Sequence, residues 1–365
     1  MKACVLFEPG PAENLKMVEV RDPGPPQEGE LLLQVEASAI DGHDLVERQG
    51  VLTRGGQPVA LTAAEELDIK ENGVWVKKRG HILGHEIAGK VIAVGPGVTG
   101  FQVGDRVAPS GGTNCGVCDY CRTGLKVKCK NRLRRGLIGG YAELALVPAQ
   151  AMMKIPEGIS PVEASFVRCA IGTPLRGIML AGQEPKFHDN ILVCGAGGGL
   201  GIHALQIVAL SGGFVMAATT SEHKVPLLKQ YGASEVIFTP TGKFHEQVME
   251  LTDGDGADFV VDTVGGTTFN NGGFRALAYY GRYIFVGQIN AEYARFPVPW
   301  LFWREAVITG ATGGQYEDTL RSFELLKKKR IKAVVYETFK LEDTPRMHAL
   351  LERRQIFGRA VIVFP

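Results

Sequence analysis

Four cysteines, Cys115, Cys118, Cys121 and Cys129, follow the pattern Cys-x2-Cys-x2-Cys-x7-Cys in one short stretch. Four thiolates at this spacing suit a closed tetrahedral zinc site, structural because no coordination position is left open. Cys4, Cys169 and Cys194 bring the total to seven. An odd count with a tight cluster reads as metal chemistry in a reducing compartment, not as a disulfide frame. Lys126, Lys128, Lys130, Arg132, Arg134 and Arg135 run through and past the last cysteine. They either solvate the loop and offset thiolate charge or form a patch for a substrate phosphate.

The second constellation is ILVCGAGGGLGIHALQIVAL, an apolar strand, a Gly-rich turn and a helix. Such a turn lets the backbone approach a pyrophosphate at the positive end of the helix. Gly195, Gly198 and Gly201 are spaced GxxGxxG and not GxGxxG, with Gly197 and Gly199 as extra glycines. The next strand ends in Thr219, Thr220 and Ser221, with Glu222 beyond and then Lys224. A carboxylate at the strand end bonds the ribose 2′-hydroxyl of NAD; hydroxyls and a cation suit a 2′-phosphate. This predicts NADP(H) over NAD(H). The alternative is that Thr219 and Ser221 merely cap the next helix.

These residues need a scaffold. The 365-residue length corresponds to about two domains. Hydrophobic residues at 45%, charged residues at 22% and a formal charge of +1 describe an ordinary globular chain. That balance gives no reason to expect nucleic acid or an anionic membrane as partner. The start MKACVLFEPG does not read as a secretory leader, so the expected location is cytoplasmic. Ile191 to Ser221 lacks charge, but its glycines, His203 and Gln206 argue for a βαβ unit over a membrane span. Residues 1–40 and 87–108 break into short strands and turns, the texture of a partly closed antiparallel barrel. From about residue 160, apolar strands alternate with helical stretches, TFNNGGFRALAYYG among them, which implies a parallel sheet covered on both faces. The tail reads helix, strand, helix, strand.

Together with GHE at Gly84–Glu86 and GDRV at Gly104–Val107, these features resemble the medium-chain dehydrogenase/reductase superfamily, in its zinc-containing alcohol dehydrogenase branch. The Gly-rich spacing and the segment TTSEHK look more like its quinone reductase and acryloyl-CoA reductase relatives. The resemblance implies an α/β fold. A GroES-like, partly open β-barrel catalytic domain takes residues 1–158 and 313–365, and a Rossmann doubly wound parallel sheet takes 159–312. It implies a catalytic zinc at Asp41, His85 and Cys169, with Glu86 able to enter or leave the shell, and hence two zinc ions per chain. It also implies cofactor contacts at Leu200, Val264 and Gly287 besides the glycines and hydroxyls above.

This sequence departs from the family pattern in three places. Asp41 stands where cysteine is usual; Asp, Cys and neutral His balance a doubly charged ion as two thiolates and a histidine do, while the alternative is that Asp41 caps a turn. His43 stands where a serine or threonine relays the alcohol proton, a task its pKa suits, or it is a surface residue. Asp44 matches the residue that orients the ligand histidine. Forty-four positions separate Asp41 from His85, longer than the family pattern, through an added segment at about 53–80 that either shapes the substrate pocket or packs on another subunit. The expected activity is hydride transfer between NADP(H) and an alcohol or carbonyl. The alternatives are an enone, quinone or enoyl-CoA reductase, whose CoA phosphate the basic run would meet, and a non-catalytic NADPH-binding regulator. A homodimer or homotetramer is expected, with AVITGAT as a pairing edge strand.

Overall fold

In a computed structural model of the chain, residues 1–54, 56–131, 136–180, 182, 184–289 and 292–365 are described, Arg54 by its backbone alone. Arg132, Arg134 and Arg135 of the basic run lie outside them. Two compact units form: residues 1–168, 337–352 and 360–365, and residues 169–336 and 353–359.

The first unit is β-rich. Its central strand Glu30–Ile40 alternates, and Leu31, Leu33, Val35, Ala37 and Ala39 are all buried, as the two-residue period of a half-covered strand requires. Leu31, Leu33 and Val35 pack with Ile87, Val91, Val107 and Val147; each such side chain contributes roughly 1.5–3 kcal/mol on burial. The strand pairs antiparallel with Glu86–Val94, Leu144–Pro148 and Arg359–Val363. Helix Pro161–Phe166 starts at a Ser160/Glu163 capping box and packs on this sheet.

The inserted segment builds a second sheet. Glu65–Glu71 and Val74–Gly80 form a hairpin that joins Leu15–Val20 and Lys2–Leu6. Asn72 and Gly73 turn it with φ of 51° and 84°, the left-handed pair that an Asn-Gly turn supplies. Ile69 plugs the sheet against Val5 and Val20.

The second unit is a six-stranded parallel sheet. Its spatial order is Glu235–Phe238, Phe214–Thr219, Asn190–Cys194, Ala257–Asp262, Leu277–Phe285, Val307–Gly310. The strand order reverses between Asn190–Cys194 and Ala257–Asp262, and ligands bind at such a switch point, beyond the carboxyl ends of the strands. Val307–Gly310 is an edge.

Two expectations shift. The boundaries at 158 and 313 move to 168 and 336, because helix Tyr316–Lys327 packs on Gly172–Leu180 in the second unit. Arg176 Nη1 meets Asp318 Oδ2 there at 3.3 Å, and Gly314 N–H donates to Thr173 Oγ1 at 3.2 Å. The stretch TFNNGGFRALAYYG is not one helix. It makes a helical turn at Gly266–Thr268, runs through Phe269–Gly273 and enters the strand Leu277–Phe285. Gly272 at φ 153° breaks the helix. Residues 191–221 are strand, turn, helix and strand, and no helix among the described residues is long and apolar enough to cross a membrane.

Candidate functional site

In the first unit the central strand ends at Ile40 and helix Gly42–Arg48 begins, with Asp41 as its N-cap. Asp41 Oδ1 accepts the Asp44 N–H at 2.9 Å, and Asp44 Oδ2 accepts the Asp41 N–H at 3.2 Å. The other oxygen, Asp41 Oδ2, lies 3.6 Å from His85 Nε2. From sequence, capping and metal ligation are alternatives; the geometry allows both, because a carboxylate has two oxygens. A thiolate could not divide itself in this way.

His85 follows Gly84, whose φ of +92° and contact with the Tyr141 ring leave no room for a Cβ. The imidazole is thereby placed with Nδ1 3.4 Å from Asp44 Oδ1 and Nε2 toward Asp41. With bonds near 2.1 Å, tetrahedral zinc holds its N and O ligand atoms about 3.4 Å apart, so the Asp41–His85 separation fits one ion. Asp41, His43, Asp44 and His85 each bring a donor atom within 4.8 Å of the others. Glu86 is buried at the start of its strand, opposite Ala39. Cys169 lies on the helical segment Val167–Ile171 and is the first residue of the second unit.

His43 points its half-exposed ring edge-on to His85, with centroids 5.1 Å apart. Its Nδ1 is 3.6 Å from Glu47 Oε2, and Glu47 Oε1 is 3.1 Å from the buried His81 Nε2. Burial works against the Glu47 charge, but the His81 hydrogen bond and the imidazoles of His81, His43 and His85 outweigh it, so its pKa is lowered. Neither Glu47 nor His81 was singled out from sequence, although Glu47 sits one helical turn after His43.

The four cysteines converge as their spacing predicts. Sγ separations are 3.6 Å for Cys115–Cys129, 3.9 Å for Cys115–Cys121 and 4.0 Å for Cys118–Cys129. Tetrahedral zinc with sulfur at 2.3 Å sets these at about 3.8 Å, so the donor set fits. Backbone N–H groups of Cys118 and Val117 hold the Cys115 thiol down to about 6, a poised thiolate.

In the second unit the Gly-rich turn leads from Asn190–Cys194 into helix Gly199–Ala209, with Gly197 and Gly198 before it and Leu200 and Gly201 in its first turn. A Cβ on Gly201 would stand 2.1 Å from Gly195 O, so the helix can only approach the turn this closely with glycine there. Asp262 ends the neighbouring strand. It accepts N–H groups of Val264 at 2.7 Å and Gly265 at 3.0 Å, and hydroxyls of Thr268 at 2.5 Å and Tyr283 at 2.6 Å. The loop carrying Val264 is therefore rigidly set, and a Cβ on Gly287 would stand 2.5 Å from Thr263 O.

The 2′-phosphate expectation is corrected at one residue. Lys224 is buried and its Nζ donates to Gly197 O at 3.2 Å and Ile356 O at 2.5 Å. Burial, then the Arg354 charge, push its pKa down to about 8. The amine holds backbone and does not project from the strand end. The cation beside the hydroxyls is Arg354, whose Nη1 meets Thr220 Oγ1 at 3.2 Å. Arg354 lies more than 130 residues further on and carried no local signal. Nor do the hydroxyls cap the next helix: Thr219 Oγ1 accepts the Ser221 N–H at 3.2 Å, and Ser221 makes no side-chain cap bond.

Comparison with known proteins matches residues 27–157 to the alcohol dehydrogenase GroES-like domain and residues 199–328 to the zinc-binding dehydrogenase family. An acryloyl-coenzyme A reductase of Sulfurisphaera tokodaii is 30% identical over 99% of both chains. An NAD-dependent alcohol dehydrogenase of Saccharolobus solfataricus is 31% identical over the whole of both. A thermostable alcohol dehydrogenase from Pyrobaculum aerophilum, solved with cobalt and zinc bound, superposes with a TM-score of 0.82 at 28% identity. That match covers all of this chain and 99% of the other.

Proposed function

Since the chain belongs to the medium-chain dehydrogenase/reductase superfamily, in its zinc-containing alcohol dehydrogenase branch, we propose that it is a zinc-dependent, NADP(H)-linked enzyme interconverting an alcohol with an aldehyde or ketone. The observation that carries this is Asp41 Oδ2 at 3.6 Å from His85 Nε2, with Asp44 behind the same imidazole. Zinc held by Asp41, His85 and Cys169, with Glu86 in reserve, would supply a Lewis acid for the substrate oxygen, and a bound nicotinamide would supply or take the hydride. The chain's own residues do the rest. Asp44 fixes the His85 tautomer. His43, 51% exposed and in contact with Glu47, hands the alcohol proton outward. Thr219, Thr220, Ser221 and Arg354 hold the 2′-phosphate, while the helix at Gly199 and the Val264 and Gly287 backbone hold the pyrophosphate and nicotinamide ends. Cys115, Cys118, Cys121 and Cys129 hold a second, structural zinc.

A second reading is supported by the 30% identity with an acryloyl-coenzyme A reductase and by Asp41 itself: hydride addition to the C=C bond of an enoyl-CoA, in which the zinc is dispensable. Metal analysis together with an aldehyde and ketone panel, run beside acryloyl- and crotonyl-CoA with NADPH, separates the two. Two zinc ions per chain and carbonyl turnover are expected. One zinc, with Asp41→Ala as active as the parent, defeats the zinc mechanism, and turnover of the enoyl-CoA thioesters alone selects the second reading. No turnover on either panel leaves a non-catalytic NADPH-binding protein. Pairing of two chains through the Val307–Gly310 edge, a homodimer that can pair again into a tetramer, completes the proposal and is read by sedimentation.

A further inference from the structure

Behind Asp44 the first unit holds two buried polar residues for which the reaction gives no account. Tyr141 and His348 are both fully buried, although one lies in the loop before Leu144–Pro148 and the other on helix Thr344–Glu352. Tyr141 OH is 3.0 Å from Asp44 Oδ2 and 3.0 Å from His348 Nε2, and His348 Nδ1 has no hydrogen-bond partner among the described residues.

The protons on this line can be assigned. The single Tyr141 proton goes to the carboxylate, since a charge-assisted hydrogen bond is the stronger choice. The Tyr141 oxygen then accepts, so His348 must carry its proton on Nε2. The opposite tautomer would bury an N–H at Nδ1 with no acceptor, which costs more than an unused lone pair. Burial, and then the Arg48 charge, push the His348 pKa down to about 3, so the ring stays neutral at working pH. Every donor on the line points toward Asp44: His348 to Tyr141, Tyr141 to Asp44, and His85 Nδ1–H to Asp44 from the other side at 3.4 Å.

We propose that Tyr141 and His348 are positioning residues for the metal site: a one-way hydrogen-bond line that keeps the Asp44 carboxylate aimed at His85 Nδ1, so that the Nε2 lone pair faces Asp41 Oδ2 and the ion between them. This rests on the zinc reading above. The outer partners of a ligand histidine tune affinity and geometry while never touching the metal. The line also accounts for a tyrosine at position 141. Its ring walls off Gly84, which phenylalanine would do equally well, and only the hydroxyl joins the His348 donor to the Asp44 acceptor.

The test reconstitutes the full-length protein, depleted of the exchangeable ion, with cobalt(II), and follows the visible absorption spectrum and the affinity against a competing chelator. Tyr141→Phe keeps the ring on Gly84 and removes only the oxygen. His348→Leu removes the donor, and His348→Gln restores an N–H near the Nε2 position. Tyr141→Phe and His348→Leu are expected to weaken cobalt binding at this site about 10–100-fold and to alter its absorption bands, with the four-cysteine signal unchanged. His348→Gln recovers most of the loss. If both variants bind cobalt with the parent's affinity and spectrum, the proposal fails while the zinc reading stands. If the parent takes up a single ion, at the cysteines, the zinc reading fails and the proposal with it. A His348→Leu chain that does not fold leaves the decision to Tyr141→Phe.

Discussion

Replacing Asp41 by asparagine and by alanine separates the two tasks of one carboxylate. Asp41 Oδ1 caps helix Gly42–Arg48 through the Asp44 N–H at 2.9 Å, while Oδ2 faces His85 Nε2 at 3.6 Å. Asparagine caps a helix about as well as aspartate, so Asp41→Asn keeps the first contact. Its neutral amide is a poor zinc ligand, so it loses the second. In protein depleted of the exchangeable ion, Asp41→Asn is expected to unfold within about 0.5 kcal/mol of the parent, whereas Asp41→Ala loses about 1–2 kcal/mol. The upper end is favoured because Asp41 is only 5% exposed. In a unit of this size 1 kcal/mol corresponds to about 2–4 °C in Tm. Adding zinc at a hundred times its dissociation constant stabilises the parent by about 2.7 kcal/mol, and neither variant shows that increment. Thermal and urea unfolding of the three proteins, with and without added zinc, paired with a metal count, gives all the numbers. Two ions in Asp41→Asn with the parent's zinc-dependent shift would refute the ligand role, and equal stability of the alanine and asparagine variants would refute the cap.

Arg354→Ala is expected to raise the Kd for NADPH about 10–100-fold and leave that for NADH unchanged, the loss of one charge-assisted bond of about 1.5–3 kcal/mol; equal effects on both nucleotides, measured by fluorescence titration, would count against the phosphate role. Lys224→Met is expected to weaken NADPH and NADH alike and to lower Tm, since Nζ holds Gly197 O and Ile356 O; a selective loss of NADPH would return Lys224 to the phosphate. His203 is buried with Nδ1 donating to Gly199 O at 2.6 Å and Nε2 accepting the Val334 N–H at 3.1 Å. Burial pushes its pKa down to about 4 from 6.5. A folded pKa below the unfolded one means stability that is full above pH 6.5 and lost as pH falls toward 4. Urea midpoints at stepped pH should therefore fall across that window, and less steeply in His203→Gln; parallel slopes would remove His203 from the acid limb.

The parts of this chain that local spacing encodes were legible. The cysteine ligands lie within residues 115–129, so the loop that bears them is short enough for spacing to imply convergence. The βαβ segment declared itself because buried parallel strands carry no alternation. What failed was direction. A lysine at 224 marks a cation near the strand end, but its long stem turns inward or outward according to packing, and here two backbone carbonyls capture it. Arg354, Tyr141 and His348 reach their partners from 134, 97 and 207 residues away, and no periodicity records such meetings. In the inserted segment the Asn72-Gly73 pair did mark a hairpin; charged strands on either side masked it.

The strand Arg359–Val363 has a consequence for how the chain is made. It pairs with residues 37–40 of Glu30–Ile40, so that edge stays open while some 320 further residues leave the ribosome. At roughly 5–20 residues per second, the nascent barrel waits about 15–60 s for its closing partner. The nucleotide unit waits as well, because Arg354 and Ile356 O belong to it and lie just before the same strand. Neither half can be completed before residues 353–363 have been made. Both wait for the same short stretch, and until it is made the open edge is the place where a chaperone would have the most to protect.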